Sequence, residues 1–298
     1  MSEAGDAPLI RSAVARPGPS GIVRFWRQLK RSRAGLAGGV ILIFFLFTGL
    51  AAPLLAPHDP YESLLERGLE GPTRDSPLGR DEVGRDVLSR IIYGARISLL
   101  IGVIAVAIGV VVGVPVGALS GYLGGWTDLL TQRVIDVMLA FPGILLAIIL
   151  VAILGVGLPQ VMLAVGIVSI PAYARLVRGQ VLSLRVQEFV EAARALGAGT
   201  GRILVRHILP NTLAVIVIQA TLQVAGAILS AAALGFLGLG AKPPEAEWGA
   251  MLSSARQYLR LAPHVVVAPG VAIMITVLGF NLLGDAIRDA LDPRLRLG

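Results

Sequence analysis

The chain has 298 residues, 55% of them hydrophobic and 15% charged, with a formal net charge of +7 and no cysteine. A soluble domain carries about 25% charged residues, so a wholly soluble globular protein is excluded, and the missing cysteines exclude disulfides and thiolate metal sites. With a mean hydropathy of +0.78, the basic balance reports membrane topology before nucleic-acid binding.

Residues 1–33 form a polar, basic leader (Arg11, Arg16, Arg24, Arg27, Lys30, Arg31 and Arg33). An apolar run over 34–56 follows, long enough for a first transmembrane helix and too extended for a cleaved signal. Residues 57–96 are a polar extracytoplasmic segment that mixes arginines with acids. A transmembrane core is expected over 97–289, with spans near 97–120, 134–156, 160–178, 212–238 and 265–287, and a tail at 290–298. Six spans place both termini on one side. The leader, Arg133, the stretch from Arg175 to Arg206 and the tail hold most of the 26 arginines and lysines, so that side is the cytoplasm.

Within the second predicted span, Gly109, Gly113 and Gly117 recur every four residues and stack on one helix face, where they admit a close neighbouring helix. Pro115, Pro142, Pro171 and Pro269 mark potential kinks. Gln219, Gln223 and Ser230 fall near one face of the fifth span, and Thr276 and Asn281 lie on the sixth. These five are candidates for lining a passage, or for hydrogen bonds between helices. No ionisable residue falls near the middle of a span, which counts against a proton relay; sodium coupling through carbonyls stays open. His58, His207 and His264 lie in no ligand spacing, so no metal is expected.

Between the fourth and fifth spans, residues 187–211 contain "EFVEAARALGAGTGRILVRHILPN" (Glu188–Asn211). Phe189, Ala192, Ala193 and Leu196 share one helical face, with Glu188, Glu191 and Arg194 around the other. Gly197 is a helix stop, a second short helix runs from Arg202 to Leu209 and ends at Pro210, and Asn211 caps the fifth span. Such a pair of amphipathic pieces lies on the membrane surface or docks in a partner's groove, and the small alanines favour a protein surface.

This stretch resembles the EAA motif of ABC importer permeases, through Glu191, Ala192, Ala193, Gly197, Leu209 and Pro210; His207 departs from the wider pattern and resembles its peptide-importer branch. "FWRQLKRSRAGLAGGVIL" (Phe25–Leu42), "SPLGRDEVGRDVLSRIIYGARISL" (Ser76–Leu99) and "LGFLGLGAKPPEAEWGAML" (Leu234–Leu252) resemble the C-type member of the dipeptide, oligopeptide and nickel permease pair. In those outer segments the resembling residues are Gly79, Asp81, Gly84, Arg85, Asp86, Pro243, Pro244, Glu247, Trp248 and Gly249. Read without the resemblance, Arg85, Asp86, Arg90 and Arg96 are a solvated approach to the membrane, and Trp248 and Tyr258 are interfacial anchors.

The resemblance implies an all-α integral membrane protein with about six transmembrane helices in the type I ABC importer permease fold, multi-pass in the cytoplasmic membrane. It implies a non-catalytic subunit that translocates dipeptides, oligopeptides, nickel or another small solute. Its partners would be a homologous permease, two ABC ATPase subunits or domains and an extracytoplasmic solute-binding protein. Glu188, Glu191, Ala192, Ala193, Leu196, Gly197, Arg202, Leu209 and Pro210 would form the ATPase-docking loop. No phosphate-binding P-loop is present, so ATP and magnesium would be bound by the partner ATPases, and no cofactor by this chain. The rival classes are a proton- or sodium-coupled carrier and an intramembrane enzyme, and the spans hold no catalytic pair for the latter.

Overall fold

The computed structural model describes residues 21–291, and the side chains of residues 25–291. Most of the predicted leader and tail, including Arg11, Arg16, Arg294 and Arg296, lies outside the described residues. The described chain is helical, in the order α1 (Gly21–Arg31), α2 (Arg33–Leu50), α3 (Ala52–Leu55), α4 (Val87–Leu123), α5 (Gly125–Ala140), α6 (Gly143–Leu154), α7 (Leu158–Leu184), α8 (Glu188–Ala195), α9 (Thr200–Ile203), α10 (Leu209–Phe236), α11 (Trp248–Ala255) and α12 (His264–Leu291). Among the described residues, five helical stretches are long and apolar enough to cross a bilayer.

The third crossing differs from the straight span expected at 134–156. Residues up to Ala140 finish α5, α6 starts at Gly143, and the two meet at 96°. Pro142 is the cause: it has no N–H to continue the ladder and clashes with the carbonyl four residues back, and it drives the residue before it out of the α region. Phe141 is accordingly extended, at φ −90 and ψ 139. The Pro142 carbonyl then starts the next helix by accepting from the Leu145 and Leu146 amides. By contrast α4, α7 and α12 continue through Pro115, Pro171 and Pro269. The first span also ends earlier than expected: α2 stops at Leu50, and α3, with Pro53 in its first turn, forms a separate short piece.

Glycine sets how closely these helices approach. A Cβ at Gly113 would sit 2.7 Å from the Ile170 carbonyl and 2.7 Å from Tyr173 Cβ, while Gly109 faces Ser169 and Gly117 faces the Ala174 backbone. The four-residue glycine stripe is therefore the α4–α7 contact. Gly38 does the same for α2 against α12, where a Cβ would meet the Gly279 carbonyl at 2.7 Å. Among the described residues, three apolar clusters form the core. The middle one joins α4, α6, α7 and α10 around Ile101, Val151, Val161, Tyr173 and Ile228. One end is built on Phe45, Trp248, Met251 and Val265, and the other on Val177, Val181, Val190, Ile203 and Ile208.

Candidate functional site

The 187–211 segment folds onto the end of the molecule formed by α7 and the start of α10. Glu188 and Glu191 occupy the first turn of α8 and Arg194 its last, an order that suits the helix dipole. At the far end the Gly197 amide bonds to the Arg194 carbonyl at 2.9 Å and the Ala198 amide to the Ala193 carbonyl at 3.0 Å. This double closure is a Schellman motif. It requires a left-handed residue, and Gly197 supplies it at φ +79.

The single apolar face expected on α8 is corrected. Val190 and Ala193 are the buried pair, packed with Val177 and Val181 of α7 and with Ile203, Leu204 and Ile208 beyond the turn. Phe189, at 41% exposure, and Leu196, at 88%, point outward, with Ala192 exposed beside them. The helix thus has two apolar stripes: one anchors it to its own chain and the other is uncovered. Val190 does not stand out in the sequence, and Ile203, Leu204 and Ile208 stand out there only as the apolar residues of the second short helix. The i, i+3 pair of Val190 and Ala193, continued by the half-buried Ala198, is the signal that finds them.

The second arm also differs from expectation. Pro210 does not end it, because α9, a π turn at Leu204–Ile208 and α10 follow without a break. The wide turn closes from the Leu209 amide to the Leu204 carbonyl, which makes room for a proline that then sits in the first turn of α10. Asn211 is not a cap. Its Nδ2 donates back to the His207 carbonyl at 2.6 Å, inside an established helix. Arg202 and Pro210 are exposed and Leu209 is half-buried.

Of the candidate passage residues, Gln223 and Ser230 line one cavity of about 140 Å³ with Gly226 of α10, Ala147 of α6 and Val165 of α7. Gln219 lies one turn away, its Nε2 3.5 Å from Gln223 Oε1. Thr276 is corrected: it is fully buried and its hydroxyl donates to the Ala272 carbonyl at 2.8 Å, so it faces no opening. Asn281 is exposed on α12 and does not line that cavity.

At the opposite end, residues read as a solvated approach are buried instead. Asp86 caps α4, accepting from the Ser89 amide at 2.8 Å and hydroxyl at 2.7 Å. Arg85 Nε donates to Asp81 Oδ2 at 2.7 Å. Arg90 reaches the carbonyls of Pro60 and Pro244 at 3.2 Å and of Glu245 at 3.3 Å, tying α4 to the turn before α11. Gly79 and Gly84 hold left-handed conformations at φ +74 and +81 in the loop between. Glu247 caps α11, accepting from the Gly249 and Ala250 amides at 2.8 and 2.7 Å, and burial pushes its carboxyl up to about 6. Gly249 packs against the Ala232 backbone and Pro243 precedes Pro244 in the exposed turn. Trp248, expected as an interfacial anchor, is fully buried, edge-on to Phe45 with its indole N–H on the Ile91 carbonyl at 3.1 Å. Packing won because Gly94 leaves a slot in α4 that the indole fills. Arg96, unlike its neighbours in that segment, is exposed.

A bundle of apolar helices with a broken crossing, an anchored polar hairpin at one end and a clasped cap at the other defines a multi-pass membrane permease. Residues 113–297 match the family described as "Binding-protein-dependent transport system inner membrane component", and residues 22–72 match the N-terminal TM domain of oligopeptide transport permease C. The dipeptide transport system permease protein DppC of Alkalihalophilus pseudofirmus is 49% identical over 271 residues, which are 91% of this chain and 89% of that protein. The glutathione transport system permease protein GsiD of Escherichia coli is 49% identical over 277 residues, 91% of this chain and 90% of that protein. In structure, the inward-facing methionine ABC transporter MetNI aligns with a TM-score of 0.55 at 22% identity, covering 69% of this chain and 98% of the matched chain. The chain therefore belongs to the binding-protein-dependent inner membrane components, the permease subunits of ABC importers, and the expected all-α fold is borne out.

Proposed function

We propose that the chain is the C-type permease of a peptide importer, carrying dipeptides, glutathione or similar short peptides across the cytoplasmic membrane. Relatives named for dipeptide and for glutathione support that cargo class. Both termini and residues 187–211 face the cytoplasm, where separate ATPase subunits bind and hydrolyse ATP with magnesium. A homologous permease completes the passage, and a solute-binding protein delivers peptide to the cap formed by residues 57–86 and 243–249.

The observation that carries the reading is the uncovered stripe of Phe189, Ala192 and Leu196 on a helix whose other stripe is fixed. A buried anchor with an exposed apolar face is what an amphipathic helix needs to enter a partner's groove. An ATPase that binds this stripe differently before and after hydrolysis shifts the attached helices by the difference in those affinities. Leu196→Glu places a charge in the docked interface and removes a large apolar contact; co-purification of the ATPases is expected to fall at least about fivefold, since loss of a central contact costs over about 1 kcal/mol. Undiminished ATPase yield with that variant overturns the docking role. For cargo, peptide uptake that follows ATP and ignores an imposed proton gradient in vesicles is the expected result.

A further inference from the structure

An apolar groove of about 280 Å³ runs between α2 and α4 on the outside of the bundle. On α2, Leu46 and Leu50 form one wall, 53% and 72% exposed, with Gly49 at the floor. A Cβ at Gly49 would come within 2.9 Å of the Arg96 backbone amide, so glycine there is what lets the helices meet. On α4, Arg96, Leu100 and Val103 follow at i, i+4 and i+7 and share one face. The groove therefore starts at a guanidinium near the polar end of α4 and continues about 10 Å along the helix over apolar side chains.

The guanidinium decides what fits. Arg67, Arg80, Arg85 and Arg90 each meet a carboxylate, whereas Arg96 has no ion-pair partner among the described residues. An apolar helix laid in the groove would leave that charge unpaired at the boundary of the hydrocarbon. A free phosphate would answer the charge and leave the leucines bare. We infer that the groove binds an anionic glycerophospholipid, its phosphate on Arg96 and one acyl chain along Leu50, Leu100 and Val103. The direction agrees with the bilayer: α4 enters from its polar N-terminal segment, so Arg96 stands at headgroup level and Val103 deeper, where long basic side chains meet lipid phosphates.

Native mass spectrometry of the full chain in neutral detergent, with phosphatidylglycerol or phosphatidylcholine added at equal concentration, tests this. One phosphatidylglycerol is expected to be retained about five-fold over phosphatidylcholine, the contribution of one basic residue at a lipid surface. Arg96→Gln is expected to abolish the preference, Arg96→Lys to keep it, and Val103→Trp to reduce retention of both lipids. Equal retention of the two lipids by the unaltered chain overturns the proposal, as does an unchanged preference in Arg96→Gln. Displacement by millimolar inorganic phosphate would make this a plain anion site, and co-isolation of a helical protein in the groove would make it a protein interface; either result overturns the lipid assignment.

Discussion

Glu247 holds two backbone amides from inside a nearly dry pocket, and its proton is bound to the folded chain up to about pH 6, against 4.5 for an ordinary glutamate. The folded state thus takes up the extra proton between those values. Its contribution is complete below pH 4.5 and lost as the pH rises through 6, a decline of about 2 kcal/mol. Glu247→Gln is expected to remove that pH dependence from thermal unfolding in detergent, leaving a curve flatter than that of the unaltered chain between pH 4.5 and 7. Residue identity made Glu247 and Trp248 legible as belonging to one outer motif. Their burial was not legible, because it depends on Gly94 and Gly235, distant in sequence, which open the space they fill.

Among elements, a close helix contact at Gly109, Gly113 and Gly117 was legible from spacing, but that α7 is the neighbour was not, since the stripe fits any close helix. Gly113→Leu is expected to destabilise the bundle by about 3 kcal/mol, the upper end for overpacking against backbone, measured by thermal unfolding. Gly39 is the control: no atom lies within 4 Å of a Cβ placed there, so Gly39→Ala is expected to stabilise α2 by about 0.5–1 kcal/mol. The break in the third crossing was only half legible. Pro142 announced a kink, but its 96° size reflects an extended Phe141 and a restart at Gly143, which hydropathy over 134–156 averages away. The two stripes of α8 were merged for a similar reason. Alanines at 192 and 193 satisfy either face, and only the position of α7 assigns one inward and the other outward.

For the whole molecule, charge distribution gave an orientation that packing does not address. The absence of cysteine makes it directly measurable. With Thr73→Cys, a membrane-impermeant maleimide is expected to label intact cells, whereas with Leu196→Cys labelling is expected only after the membrane is opened. The reverse pattern would put the hairpin outside and remove the basis for ATPase docking. The two ends also differ in how they are held. The α11 end is locked by buried ion pairs and caps that join α4 to the loop before α11, whereas the hairpin end is held by an apolar seam, one glycine closure and a 3.4 Å hydrogen bond from Arg194 to Tyr122.

From Thr200 to Phe236 the chain is a 37-residue helical stretch interrupted only by the π turn at Leu204–Ile208, a rod of about 55 Å at 1.5 Å per residue. On the proposed docking, torque applied at the hairpin end of this rod would emerge at Gly235, beside Glu247. The widened turn sets the phase between the two. Deleting one residue within it would restore ordinary winding, shorten the rod by about 1.5 Å and alter the phase between its ends. The chain would still insert, yet a stroke delivered at one end would arrive out of step at the other.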